Sequence, residues 1–380
     1  MRGRGTSTVW ELRVHAGRSP ITGRPKYVSR TVTGTADDAD AELGRLVTKV
    51  GAIDHTGPAE TFGQYLDRWL PKTAILKELS PTTVREHKRT IEKIIKPALG
   101  DVELRKLSAT DMDDLYVALR SRERPLSASS VRRVHAVMSA GLAQAVKEGS
   151  IDSNPAARAT PPQVRPQQRA APSPADVQAM IAAADADDPD MAALMAIAAV
   201  TGARRGELCG LQWGDVDWSG PNLTIQRSVA TMGKGNLITK DTKTHSARRL
   251  ALDEFGEAVL KRHLAEAEVR ADELGVKIRP ETPIFTYDLE HPIPPDSVTH
   301  YVKRIADKVG VDTHLHALRH FAATQMIGGG HDVRTVAGRL GHRDASVTLK
   351  VYSHALPERD REAAAFLGRA LTPAESPSGG

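Results

Sequence analysis

At 380 residues the chain is long enough for two or three domains and is best read in pieces. Its formal net charge of +5 and pI near 9.2 fit a polyanionic partner. The single cysteine, Cys209, excludes an internal disulfide and any cysteine-paired metal or redox motif, and no run approaches the roughly 18 apolar residues of a membrane span, so a cytoplasmic, non-secreted protein without a membrane partner is expected.

The positive charge gathers at the amino end. Arg2, Arg4, Arg13, Arg18, Arg24, Lys26 and Arg30 face one acid, Glu11, before Thr35, and the chain then turns acidic at Asp37, Asp38, Asp40 and Glu42. Residues 8–14 and 26–32 are rich in β-branched and aromatic types and are separated by a turn-like SPITGRP, which predicts a hairpin. Thr35 is placed to cap a helix starting at Ala36, with Asp37 and Asp38 in its positive first turn. A small sheet plus helix over residues 1–57 is the expected first module, with Arg13, Arg18, Arg24, Lys26 and Arg30 as its candidate contacts to a polyanion.

Residues 58–153 change to amphipathic helices: TFGQYLDRWL, a segment capped by Ser80 with Pro81 in its first turn, DMDDLYVALR, and SASSVRRVHAVMSAGLAQAVKEG. Leu115 and Leu119, and Val134 and Met138, recur at helical spacing and are expected to pack inward. Arg85, His87, Lys88, Arg132 and Arg133 are left outside, and Arg85, Lys88, Arg132 and Arg133 are candidate phosphate contacts. From Asn154 to Pro174 six prolines and few apolar residues predict a linker, taken as 154–173. Residues 174–370 mix helices, around 174–184, 191–200, 253–272, 296–309 and from His316 onward, with strands in NLTIQRSVA and ARRLAL. The expected fold class is multidomain α+β: the small β module, an all-α domain, and a mainly helical third domain with a small antiparallel sheet. Residues 371–380 read as a disordered tail.

Four separated motifs in the third domain carry chemistry. In TGARRGELCGLQW, Arg204 precedes Glu207 by three positions, one helical turn; on its own such a pair is more often a surface or structural ion pair. TKTHSARRLAL places Lys243 in a basic strand-turn-strand stretch, with Lys234 and Lys240 as nearby rivals. HLHALRH puts His316 and Arg319 on one helical face; its three histidines lack a cysteine or nearby carboxylate to complete a zinc site, so no metal is expected. LGHRDASVTLKVYSH places His342 ten residues before Tyr352.

Each motif alone is weak, but their order, Arg, Lys, His-x-x-Arg, Gly-His, Tyr, resembles the tyrosine recombinase family over about Pro174 to Phe366. The two segments before it are similar, more loosely, to the arm-binding and helical core-binding (SAM-like) modules of lambda-like phage integrases. The resemblance implies a site-specific DNA recombinase in which Tyr352 attacks a phosphodiester to give a 3′-phosphotyrosyl bond and a free 5′ hydroxyl, proceeding through a Holliday junction without cofactor or metal. It implies Arg204, Arg319 and His342 on the nonbridging oxygens, Lys243 as the acid for the leaving oxygen, and His316 as proton acceptor or hydrogen-bond donor. Glu207 then orients the site. The implied partners are double-stranded core-type and arm-type DNA sites, three further copies of the chain on DNA, a host DNA-bending protein and an excisionase, in a bacterial host. Ala203 departs from the family, which commonly has a larger apolar residue before the first arginine.

The chemistry is sensible on physical grounds. Attack on a phosphodiester piles negative charge on nonbridging oxygens, which planar guanidinium forks bind with two parallel hydrogen bonds. A phenol with a pKa of about 10 needs a base and positive surroundings to attack at neutral pH. Two other readings are DNA relaxation of the type IB topoisomerase kind, which needs no second DNA address, and a noncatalytic DNA-binding regulator, which would not need all six reactive positions.

Overall fold

The computed structural model describes residues 8–18, 25–51, 59–165, 171–233, 235–241 and 247–341, of which 15–18, 25–26, 48–51 and 241 by their backbone only. The chain divides into two compact units, Met1–Val164 and Arg165–Gly380.

The first unit opens with strands β1 (Thr8–Arg18) and β2 (Pro25–Gly34), paired antiparallel from Thr8↔Gly34 to His15↔Tyr27. Helix α1 (Ala36–Gly51) packs on this hairpin, and Leu12, Ala39 and Leu46 are the residues buried there. Its start is closed reciprocally: the Thr35 N–H donates to Asp38 Oδ2 (3.0 Å) and the Asp38 N–H to Thr35 Oγ1 (3.3 Å).

A helical bundle follows: α2 (Phe62–Leu76), α3 (Pro81–Thr90) running through a π turn (Ile91–Ile95) into α4 (Lys96–Leu99), α5 (Ala109–Ser121) and α6 (Ala128–Lys147). Thr61, Ser80, Ser108 and Ser127 cap α2, α3, α5 and α6 with side-chain oxygens, as small hydroxyl residues do where the first turn leaves N–H groups unpaired. Phe62, Leu66, Ile95, Met112, Met138 and Leu142 form the dry centre, and Leu115, Leu119 and Val134 are buried with them. The proline-rich stretch does not run free from its start. Pro155–Ala157 form a 3-10 turn whose Pro155 and Ala156 are buried in the bundle, and Asn154 Nδ2 donates to the Ser139 carbonyl (3.1 Å).

The second unit is built around α8 (Pro189–Thr201), which follows α7 (Pro174–Asp185) and is buried on nearly every face, the outcome expected of a helix apolar all round. Then come α9 (Arg205–Cys209), β3 (Val216–Asp217), β4 (Asn222–Ile225), β5 (Arg227–Thr231), β6 (Leu237–Asp241) and β7 (Arg248–Ala251). Helices α10 (Glu254–Glu273), α11 (Pro295–Lys308), α12 (Leu315–Gly328) and α13 (Val333–Leu340) complete the described part. The strands expected within NLTIQRSVA lie in two sheets: β4 lies between β3 and β7, whereas among the described residues β5 pairs only with β6. The break falls at Gln226, where Gln226 Nε2 donates to Asp215 Oδ1 (2.7 Å) and Arg227 spans both oxygens of the same buried carboxylate (2.7 and 3.0 Å). The buried Asp215 carboxylate is thereby paired at the point where the two sheets part.

Candidate active site

Arg204 sits at the head of α9 in extended backbone, three residues past the end of α8. The bend that puts it there is made by Gly202, which ends α8 at φ +62, a left-handed conformation that side-chain-bearing residues disfavour. A side chain there would also force Leu340 to move, since a Cβ on Gly202 would lie 2.4 Å from Leu340 Cδ2. The freed Gly202 carbonyl accepts a 2.6 Å hydrogen bond from Arg319 Nη1. A second helix ends the same way: Gly341 closes α13 at φ +70, and its carbonyl accepts from Arg204 Nη2 (2.8 Å). Each arginine is therefore held by a carbonyl at the negative end of a helix, which fixes a cation in direction without neutralising it.

The Arg204 side chain is 45% exposed and free to meet a ligand, whereas its partner Glu207 is only 4% exposed. The pair predicted as one helical turn is thus a half-buried arrangement and not a surface one. Glu207 Oε2 accepts from the Arg204 N–H (2.8 Å) and Oε1 from Arg204 Nη1 (2.9 Å). Burial pushes the Glu207 carboxyl up, but hydrogen bonds and charge from Arg248, and then from Arg204, outweigh it and hold the group below the usual carboxylate range.

Arg319 is buried in α12, one turn after His316, which faces outward. The His316 ring meets that of His320 edge to face, centroids 5.0 Å apart. Partial desolvation, then the positive fields of His320, Arg319, His314 and Arg204, push the His316 imidazole down to about 4. The ring is neutral at pH 7 and available as a proton acceptor. Because this value lies below the unfolded-state value of about 6.5, the unfolded chain binds more protons between those limits. The associated stability is complete above about pH 6.5 and is lost as pH falls through the window toward 4. The His316 Cε1–H resonance of the free protein should accordingly titrate near pH 4, and a midpoint at 6.5 or higher would show that the ring does not feel these charges.

Of the other reactive positions, Lys243, His342 and Tyr352 lie outside the described residues, as does the rival Lys234. Lys240 is within β6, opposite Ser228. The candidate DNA contacts are dispersed. Strand alternation puts Arg13 on the hairpin face away from Leu12, where its guanidinium covers the Tyr27 ring at 4.2 Å. Arg30, opposite Leu12, lies on the other face and pairs with Glu42 of α1. Arg24 and the side chains of Arg18 and Lys26 fall outside the described residues. Arg85, Lys88, Arg132 and Arg133 are exposed; Arg132 Nη1 donates to the Pro162 carbonyl (3.3 Å) and Arg133 Nη2 to Ser130 Oγ (3.0 Å).

One residue escaped notice in the sequence. Arg248, at the start of β7, is only 11% exposed and donates from Nη1 and Nη2 to the two oxygens of Glu207 (3.1 and 2.7 Å). The signal was available: Arg248 and Arg249 are adjacent in a strand, so alternation sends one of them inward.

Residues 173–359 match the family model described as the phage integrase family, and residues 61–119 match that of the phage integrase N-terminal SAM-like domain. The ICEBs1 integrase of Bacillus subtilis is 24% identical over 93% of this chain and 95% of its own length. Tyrosine recombinase XerC of Corynebacterium efficiens is 30% identical over 64% of this chain and 73% of its own. The XerC-like tyrosine recombinase of Caldanaerobacter subterraneus is also 30% identical, but there the match covers 45% of this chain and about half, 47%, of the relative. Among solved structures, the Tn1549 transposon integrase in complex with a circular intermediate DNA superposes with a TM-score of 0.69 at 17% identity, over 81% of this chain and 99% of that one. The lambda integrase tetramer bound to a Holliday junction gives 0.58 at 19% identity, over 87% and 90%. These likenesses fix the fold: a mostly helical α+β protein with an amino-terminal β-hairpin, a SAM-like helical domain and a catalytic domain bearing a small antiparallel sheet.

Proposed function

The chain belongs to the phage integrase family of tyrosine recombinases, and from that premise we propose that it integrates and excises a mobile DNA element through a 3′-phosphotyrosyl intermediate on Tyr352. The observation that carries this reading is the pair of oriented guanidiniums. Arg204 and Arg319 are each tethered by a carbonyl at a helix end, and both add to the positive field at the outward-facing, neutral His316. Such donors, set before the substrate arrives, favour the charge that develops on the nonbridging oxygens.

In the proposed step Tyr352 Oη attacks phosphorus while His316 accepts its proton, the P–O5′ bond breaks, and Lys243 protonates the departing oxygen. One phosphodiester becomes one phosphotyrosine, so the reaction needs no external energy and reverses when a 5′ hydroxyl of a partner strand attacks. His342 is assigned to the same oxygens as the arginines; the chain enters it directly from Gly341, whose carbonyl binds Arg204. The solved lambda integrase tetramer on a Holliday junction supports four protomers exchanging strands on DNA as the working form. We assign residues 1–57 to a second, arm-type DNA address, 58–153 to the core site and 174–370 to catalysis; the open hairpin face with Arg13 and Tyr27 supports the first assignment.

A nicked suicide DNA substrate tests the whole reading: the full chain should become covalently attached, and a chain that binds this DNA without any adduct is not acting as a recombinase on it. The acid is tested with DNA carrying a 5′-bridging sulfur, whose thiolate leaves without a proton. Cleavage by Lys243→Ala should be poor on ordinary DNA and recover strongly on the sulfur substrate. Rescue of Lys240→Ala or Lys234→Ala instead would reassign the role.

A further inference from the structure

We infer that Arg248 is a positioning residue for strand cleavage: it holds Glu207 from beneath so that Arg204 stays turned toward the phosphate, and it binds the end of α13 from which the chain enters His342. The inference rests on the recombinase reading of this site.

The geometry is a strut between three separated stretches of chain. From β7, Arg248 sends Nη1 and Nη2 to the two oxygens of Glu207 at the head of α9, and Nε to the Arg339 carbonyl in the last turn of α13 (3.0 Å). Arg339 returns the contact, donating to the Ala251 carbonyl beside β7's end and to the Val200 carbonyl of α8 (3.1 and 3.0 Å). Gly341 lies against this junction, since a Cβ there would come within 2.8 Å of Arg248 Nη1.

Charge explains why the strut is needed. Glu207 is buried and ionised, and a buried carboxylate must be paired. The charged groups that face it are Arg204 from the head of α9 and Arg248 from β7; Arg339 of α13 turns its guanidinium to carbonyls instead. Without Arg248 the whole charge of Glu207 would fall on Arg204. That guanidinium would be drawn inward and away from the Gly341 carbonyl, or Glu207 would take up a proton and release it. With Arg248 supplying a bidentate partner, Arg204 gives Glu207 only Nη1, keeps Nη2 on the Gly341 carbonyl, and leaves its remaining N–H groups for a ligand.

The test uses the full chain and the nicked suicide substrate. Arg248→Met should keep DNA affinity, because the Arg248 side chain is enclosed by Glu207 and the end of α13. Its single-turnover cleavage should fall by about ten- to a hundred-fold, less than for loss of a donor that meets the phosphate itself. The loss should deepen as pH is lowered from 8 to 6, as Glu207 without its partner becomes protonatable, and this added pH dependence should vanish in Glu207→Gln/Arg248→Met. Cleavage within two-fold of the parent at every pH overturns the proposal. So does a loss that merely tracks the folded fraction and is the same at pH 8 and pH 6. Should Arg248→Met not fold, Arg248→Lys decides: a folded protein with normal DNA binding and cleavage down by roughly ten-fold supports positioning by the two-pronged contact, whereas parental cleavage overturns it. Failure of the underlying reading looks different, because the parent chain run alongside would then form no adduct at all.

Discussion

Tyr352→Phe is expected to remove all covalent attachment to DNA while leaving affinity for a core site nearly unchanged. The substitution takes away one oxygen and almost no apolar surface, so the fold and the DNA contacts have no reason to change, but no other atom of that side chain can attack phosphorus. The measurement is paired: an electrophoretic-mobility titration for binding, and denaturing electrophoresis of the protein incubated with a nicked suicide substrate for the adduct. Persistence of adduct in the phenylalanine variant would mean that another residue is the nucleophile. Because Tyr352 lies outside the described residues, this experiment carries the assignment of the nucleophile by itself.

The second large effect is expected at the arginines. Arg319→Ala and Arg204→Ala should each lower the single-turnover cleavage rate by about 100- to 1,000-fold, the usual consequence of deleting one preorganised donor to a developing oxyanion. The two should differ in stability. Arg319 is 4% exposed and satisfies the Gly202 carbonyl, so its removal leaves a cavity and an unpaired acceptor and should lower the melting temperature. Arg204 is half open to solvent and Glu207 retains Arg248 when it is lost, so the melting temperature should move little. Near-parental cleavage by either variant would remove that arginine from the transition state.

Much of this protein was legible from residue order because the governing interactions are local. Thr35, Thr61, Ser80, Ser108, Ser127 and Ser173 each announce a helix by a contact that spans only three residues. The inward stripe of Leu115, Leu119, Val134 and Met138 follows from the helical repeat alone. Likewise the His316-to-Arg319 spacing sets both side chains on adjoining turns of one helix, although that the arginine is buried and the histidine outward is decided by packing. The order of the reactive motifs carries the family on its own, since chemistry demands those residue types wherever the chain brings them.

What the chain order could not reveal is every contact made across long separations. That Arg204 and Arg319 are steered by the carbonyls of Gly341 and Gly202 depends on two helix ends meeting, 137 and 117 residues from their partners. The split of NLTIQRSVA at Gln226 was hidden for the same reason: strand propensity is continuous there, whereas the division into two sheets and the pairing of Gln226 and Arg227 with the buried Asp215 are tertiary. Arg248 shows the difference most plainly. Its strand and its neighbour Arg249 are local facts, but which of two adjacent arginines turns inward, and that a buried Glu207 waits 41 residues away to be neutralised, is decided only when β7 closes against α9 and α13. Local sequence sets backbone preference and spacing, whereas the pairing of buried charge is a property of the assembled core, where desolvation makes the right partner obligatory.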